Sequence, residues 1–328
     1  MAKEFVPNIK QLPKFMKEDP GILPGHRACA GCGCAIILRQ LMMARRKPLV
    51  IANATGCMEV VTTIFPYTAW KTPWIHVAFE NAAAVAAGID AGRNKLQRSG
   101  RFSDDPDVSV DYDVVALAGD GGTYDIGLQA LSGALERWHN FLYILYDNEA
   151  YMNTGIQRSG GTPFGAWTTT TPVGSKIKGK PLTKKPIVDI VVAHRIPYAA
   201  TVSPAYWVDS LKKFRKGLET EGPAFIHAFG VCPRGWRTDT KDTIKLSRLA
   251  VETCFFPLYE VVNSEWYLTG PSLTIAKNPE RKKPVEEYLK LQGRFRHMLL
   301  PENKWMLEKF QELVDENWEI ILKRAKNV

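Results

Sequence analysis

The 328-residue sequence predicts an α/β fold, a doubly wound and mostly parallel sheet, and three observations carry that expectation. Two apolar runs, Val114-Val115-Ala116-Leu117-Ala118 and Phe141-Leu142-Tyr143-Ile144-Leu145, each stop short of a turn bearing an acid or an amide. Those turns are Gly119-Asp120-Gly121-Gly122 and Asp147-Asn148. Between them Ile126, Leu128, Leu131, Ala134 and Leu135 recur at helical spacing, which makes a strand, turn, helix, strand unit. Further strand-like and helical stretches alternate on both sides, and the turns after parallel strands gather along one edge of such a sheet.

Taken in order, residues 1–24 are rich in Pro and Lys with little periodicity, and read as an extended arm or a disordered tail. Gly25 to Cys34 forms a Gly- and Cys-rich turn that opens a helix with Ile36, Ile37, Leu41 and Met42 on its apolar side. Leu49 to Gly56 is strand-like and ends at Cys57, and Phe65 to Trp74 is an aromatic loop. Ile75 to Ala78 reads as a short strand, Glu80 to Ala91 as an alanine-rich helix, and residues 97–112 as a charged surface loop. Gly155 to Gly165 begins a Gly- and Thr-rich loop suited either to covering a substrate or to an ordinary crossover. Lys176 to Lys185 carries five lysines and reads as solvated. A helix (187–194), a strand (198–202) and an amphipathic helix (206–218) lead to an apolar run, Ala224 to Val231, that ends at Cys232.

From Gly235 the alternation stops. Helices are expected over 246–254, 285–295 and 305–325, and an antiparallel ribbon over 258–275. The expected division is an arm (1–24), an α/β domain (25–235) and a C-terminal extension (236–328) that either docks on a partner or closes the core.

The formal charge of +9 comes from scattered Lys and Arg, without a basic stripe or a nucleic-acid module, so no nucleic acid is expected as partner. An acidic protein or a phosphorylated small molecule accounts for the charge equally well. No apolar run reaches the length of a membrane span, and the first residues lack the apolar core of a signal peptide. The cytoplasm is the expected compartment, where the six cysteines stay reduced and available to metal.

Asp120 offers a hard anionic oxygen and Asn148, 28 residues later, a neutral amide oxygen; with turn carbonyls this donor set suits Mg²⁺ bound to a phosphorylated ligand. The adjoining glycines let backbone approach that phosphate. Two rival phosphate motifs fail. A dinucleotide fingerprint needs Gly where Tyr124 stands, and the near Walker A at Gly174 to Lys180 is followed by Pro181 instead of Ser or Thr. Cys29 and Cys32 form a C-x-x-C turn, while Cys57 and Cys232 close strand-like runs, so four thiolates can converge on Zn²⁺ or on an iron–sulfur cluster. Dispersed ligands and the Cys232-Pro233 pair lean toward the cluster; Cys34 and Cys254 read as buried structural thiols.

Taken together, Cys29-Ala-Gly-Cys32-Gly, Ala54-Thr55-Gly56-Cys57-Met58-Glu59, Gly119-Asp120-Gly121-Gly122 and Tyr146 to Gly155 with Gln157 resemble the β, thiamine diphosphate-binding subunits of the 2-oxoacid:ferredoxin oxidoreductases, most of all the pyruvate branch. Cys232-Pro233 and Pro284 to Leu289 extend the resemblance, which covers roughly residues 25–300. It implies the thiamine diphosphate-binding fold. It also implies that Asp120, Asn148 and the carbonyl of Ala150 bind Mg²⁺, that Gly119, Gly121 and Gly122 line the diphosphate, and that Asn153 stands beside the reacting carbon as the catalytic asparagine. Cys29, Cys32, Cys57 and Cys232 would hold a [4Fe–4S] cluster. The implied reaction is oxidative decarboxylation of pyruvate to acetyl-coenzyme A and CO₂, with electrons passing to ferredoxin; oxalate (without coenzyme A) and branched-chain 2-oxoacids are the alternative substrates. The implied partners are an α subunit supplying the cofactor-activating Glu, and ferredoxin-like γ and δ subunits, since no C-x₂-C-x₂-C-x₃-C run occurs here. A zinc-stabilised binding or scaffold protein is the reading from a different class.

Overall fold

The computed structural model describes residue 10, residues 20–100 and residues 110–328. The arm expected over 1–24 and the loop expected over 97–112 lie largely outside the described residues. One eight-stranded sheet runs through the molecule in the order β2-β1-β3-β4-β6-β5-β7-β8. Its strands are β1 (Leu49–Ala54), β2 (Trp74–Val77), β3 (Asp113–Ala118), β4 (Leu142–Asp147), β5 (Tyr198–Val202), β6 (Ala224–Phe229), β7 (Tyr259–Val262) and β8 (Glu265–Leu268). The first six pair in parallel and the last two antiparallel, so the sheet is mostly parallel as the sequence predicts.

The apolar runs are continuous because the central strands are covered on both faces. Along β3, Val114, Ala116 and Ala118 enter one hydrophobic core while Val115 and Leu117 enter the other. Along β4, Tyr143 and Leu145 face the first core, and Leu142, Ile144 and Tyr146 the second. Helices α1 (Gly33–Ala44) and α7 (Trp207–Glu219) pack together over the second core. The short α2 (Cys57–Thr62), then α3 (Ala82–Ser99), α4 (Asp120–Tyr124), α5 (Leu128–Glu136) and α6 (Ile187–Val192) complete the crossovers. α3 and α5 pack against each other over the first core. No helix among the described residues is long and apolar enough to cross a membrane.

Several elements differ from expectation for identifiable reasons. α3 continues to Ser99 and ends at Gly100, which takes φ 63°, the left-handed conformation glycine adopts without a Cβ penalty. Cys57 does not terminate a strand: β1 stops at Ala54 and Cys57 begins α2. The expected ribbon is shorter, because Asn263 and Ser264 both take positive φ (48° and 68°) in a tight hairpin, and Pro271 then starts α10 (Gly270–Lys277). β7 pairs with β5, so the chain beyond 235 extends the sheet. The helix expected over 285–295 is only α11 (Glu286–Leu289), followed by a 3-10 segment (Gly293–Leu299) that turns Arg294 inward. Helices α8 (Pro233–Trp236), α9 (Thr243–Glu252) and α12 (Lys304–Arg324) contribute Trp236, Leu246, Phe310 and Ile321 to the first core alongside residues of β1, β3 and α3.

Candidate functional site

Four neighbouring parallel strands, β1, β3, β4 and β6, deliver four turns to one edge of the sheet. The turns carry Cys57, Asp120, Asn148 and Cys232 in that order. A fifth piece, the Cys29–Cys32 turn before α1, is tied to them: Gly33 N donates to Val231 O at 3.1 Å, and Thr243 Oγ1 donates to Gly31 O at 2.5 Å. Gly31 takes φ 72°, and a Cβ there would lie 2.3 Å from Thr240 O, so this close approach requires glycine.

Asp120 is 2% exposed. Its Oδ1 accepts from the backbone N–H groups of Asn148 (3.1 Å) and Glu149 (3.2 Å), and its Oδ2 from Ser159 Oγ (2.5 Å). Among the described residues no Lys or Arg contacts it. Burial, reinforced by the charge of Asp147, pushes its carboxyl well above the usual range. One end of the Asn148 side-chain amide lies 3.2 Å from Asp120 Oδ1 and 2.8 Å from Ala150 O, and with its oxygen at that end it adds a third oxygen donor to theirs. Turning the amide over converts both approaches into N–H···O bonds. The spacing is that of adjacent ligands on a small octahedral ion, where metal–oxygen distances near 2.1 Å give edges of about 3 Å. The donor set therefore fits Mg²⁺.

Asp120, Gly121 and Asn148, with Gly56, Met58 and Met152, are among the residues lining a narrow cleft of about 30 Å³, and Asn153 is exposed in its wall. Asn153 sits on a turn held by the Thr154–Gln157 pair, with Thr154 Oγ1 donating to Gln157 Oε1 at 2.6 Å. The glycines divide in role. A Cβ on Gly121 would meet the Tyr151 ring at 2.2 Å and one on Gly122 the Phe79 carbonyl at 2.8 Å, whereas Gly119 has only Tyr146 O at 3.9 Å before it. Close packing inside the chain thus requires glycine at Gly121 and Gly122, while Gly119 has open space where a Cβ would point.

The cysteines expected to act together lie on three segments that meet at this edge: the charges of Cys232, Cys32 and Cys29 reach Cys57, and those of Cys32 and Cys29 reach Cys232. Burial pushes Cys57 up to about 12 and Cys232 to about 11, while a hydrogen bond with the Cys34 thiol lowers Cys32 to about 6. Asn148 Nδ2 approaches Cys57 Sγ at 3.9 Å, so the oxygen donors and the thiols adjoin. Among the described residues no three His, Cys, Asp or Glu side chains are already drawn into a single-ion cage. Four reduced thiols entering from three chain segments are a donor set that fits a cluster, whose four irons each take one thiolate. Cys254 is buried in the first core, away from this group.

Behind the site lies a buried ionic network that sequence reasoning missed. Asp147 Oδ2 accepts from Tyr124 OH, His227 Nε2 and Lys184 Nζ, all at 2.7 Å. Glu149, at φ 71° and fully buried, pairs with Lys184 Nζ at 2.8 Å and with Arg294 Nη2. Burial works against the charges on Asp147 and Lys184. Lys184 and His227 nevertheless hold the Asp147 carboxyl below its usual range, and Asp147 and Glu149 raise Lys184. Arg294 lies 3.8 Å over the Trp236 ring, and Trp236 Nε1 donates to Asn148 O at 2.9 Å. Lys184 falls in the lysine-rich segment expected to be solvated, yet its ammonium has two carboxylate partners, and Lys180 is buried against the carbonyls of Thr162 and Thr183. The Gly- and Thr-rich loop, read either as a substrate cover or as an ordinary crossover, is anchored to the site from within: Ser159 Oγ donates to Asp120 Oδ2 and Thr162 Oγ1 to Glu149 O.

Comparison with known proteins places this arrangement. Residues 54–228 match the thiamine pyrophosphate enzyme, C-terminal TPP binding domain. The pyruvate synthase subunit PorB of Methanocaldococcus jannaschii is 50% identical over 91% of this chain and 95% of its own length. PorB of Thermotoga maritima is 49% identical over 96% and 95%, and the ketoisovalerate oxidoreductase subunit VorB of Pyrococcus abyssi is 46% identical over 94% of each. With the domain match over the cofactor turns and these identities over nearly the full length, the chain belongs to the thiamine pyrophosphate enzymes as a β subunit of the 2-oxoacid:ferredoxin oxidoreductases.

Proposed function

We propose that this chain binds thiamine diphosphate through Mg²⁺ and carries the first electron acceptor of a pyruvate:ferredoxin oxidoreductase. The carrying observation is the Asn148 side-chain amide set against Asp120 Oδ1 and the Ala150 carbonyl, beside cysteines that arrive from three chain segments. Asp120, Asn148 and the Ala150 carbonyl would hold Mg²⁺; Gly119, Gly121 and Gly122 would lie along the diphosphate; Asn153 would stand by the reacting carbon. Cys29, Cys32, Cys57 and Cys232 would hold a [4Fe–4S] cluster. Bound there, thiamine diphosphate supplies the electron sink for decarboxylating a 2-oxoacid, and the cluster accepts electrons singly at low potential.

The chain's own residues fix positions. Asp120 anchors two backbone N–H groups of the Asn148 turn, and the Glu149–Arg294 pair holds that turn from behind. The rest of the cofactor would lie against another chain. That chain is an α subunit contributing the activating Glu, with ferredoxin-like γ and δ subunits relaying electrons to ferredoxin and coenzyme A taking the acyl group. The compartment is the cytoplasm.

Pyruvate is favoured by the PorB relatives, and the VorB relative supports branched-chain 2-oxoacids as the second reading. Steady-state assays of the whole assembly on a panel of 2-oxoacids decide between them: the highest kcat/KM is expected for pyruvate. The purified chain alone is expected to show no turnover, and full activity without partners would refute the shared-cofactor reading. Cys57→Ala is expected to abolish the visible charge-transfer absorption of the anaerobically purified protein, whereas Cys34→Ala retains it. The reverse pattern would show the ligand set to be wrong.

A further inference from the structure

Tyr146 stands where the oxygen donors and the thiols meet, one residue before Asp147 on β4, and neither set uses it. The side chain is 1% exposed. Its ring lies against the backbone of Gly230, where an added Cβ would come within 2.2 Å of a ring carbon, so only glycine admits it. The hydroxyl ends 3.7 Å from Cys32 Sγ and has no other hydrogen-bond partner among the described residues. The charges of Cys34, Cys57 and Cys232 also reach it. A buried phenol is costly without a good acceptor. A neutral thiol is a weak acceptor, but a thiolate makes the bond charge-assisted.

We propose that the Tyr146 hydroxyl donates a hydrogen bond to the Cys32 thiolate and thereby raises the reduction potential of the cluster held by the four cysteines. The inference rests on the cluster reading above. Each added electron increases the negative charge shared by the coordinating sulfurs, so a fixed donor stabilises the reduced form more than the oxidised one. Tyr146 is a positioning residue here: it touches a ligand of the acceptor and no substrate atom. Because the same strand continues into Asp147 and Asn148, one rigid element would hold both the Mg²⁺ turn and the donor that tunes the acceptor.

The test is a redox titration, followed by electron paramagnetic resonance, of the full chain purified anaerobically, as wild type and as Tyr146→Phe. Both are expected to bind four irons. At a fixed potential the ratio of oxidised to reduced cluster should rise about tenfold in the variant, a downward shift of about 59 mV for a one-electron couple. Site-specific replacement of Tyr146 by 3-fluorotyrosine keeps the shape and strengthens the donor, so the potential should move upward. That second measurement serves if the Phe variant fails to fold. A wild-type chain that binds no iron overturns the cluster reading and this inference together. A cluster of unchanged potential in either variant overturns this inference and leaves the cluster reading standing.

Discussion

Asp120→Asn is expected to abolish Mg²⁺-dependent binding of thiamine diphosphate while leaving the fold intact. The substituted amide keeps an oxygen to accept from the N–H groups of Asn148 and Glu149, and its NH₂ can face Ser159 Oγ. What it removes is charge. Within the network behind the site, Lys184 and Arg294 balance Asp147 and Glu149, which leaves the Asp120 carboxylate without a protein cation in contact. An unpaired carboxylate at 2% exposure is destabilising, and a divalent ion is the partner that lets it ionise. The Asn variant without cofactor should therefore be at least as stable as wild type, within about 1 kcal/mol or better. Its affinity for Mg²⁺ and thiamine diphosphate should fall more than about 100-fold, since even residues behind a metal ligand cost about 10–100-fold. Titration calorimetry of the assembled enzyme and thermal unfolding of the chain measure the two effects separately. Retained cofactor affinity would remove Asp120 from the ligand set, and a large loss of stability would show its role to be structural.

The parts of the molecule legible in the sequence are those where local pattern and tertiary environment agree. Val114 to Ala118 reads as a buried strand because both its faces are covered, and Asp120 and Asn148 stand out because two such turns follow two such runs, 28 residues apart. The convergence of Cys57 and Cys232 follows from parallel topology, although Cys57 opens a helix instead of closing a strand. Side chains whose burial depends on distant partners were illegible. Lys184 looks solvated among its neighbouring lysines, and only the fold sets it between two carboxylates. The Gly- and Thr-rich loop has a surface composition, yet Ser159 and Thr162 are spent on Asp120 and Glu149. Beyond residue 235 the helical period of 285–295 is interrupted because Arg294 is drawn to a charge 145 positions earlier, a demand no local window contains.

That long-range pair makes the second large prediction. Arg294→Met should destabilise the chain by about 3 kcal/mol, the low end of the range for breaking a buried ion pair, because Lys184 still faces Glu149. Met keeps apolar bulk beside Trp236 but also removes the guanidinium stacked on its ring, so the single variant loses the ion pair and that contact together. For a chain of this size that is on the order of 5 °C in melting temperature. Glu149 lies between Asn148 and Ala150 at a positive φ of 71°, so releasing it should also loosen the oxygen donors and weaken Mg²⁺ and cofactor binding by about 10–100-fold. The double variant Arg294→Met, Glu149→Gln separates charge from shape. Removing both partners eliminates the carboxylate that Lys184 would otherwise balance along with Asp147, so most of the lost stability should return. A melting temperature for Arg294→Met within 1 °C of wild type would mean the pair contributes nothing to the fold. A double variant as unstable as the single one would trace the loss to packing around Trp236 instead. With stability restored but cofactor affinity still reduced, the C-terminal segment would be reaching the cofactor turn through the geometry of Glu149, and residues 236–328 would belong to the site's support as much as to its surroundings.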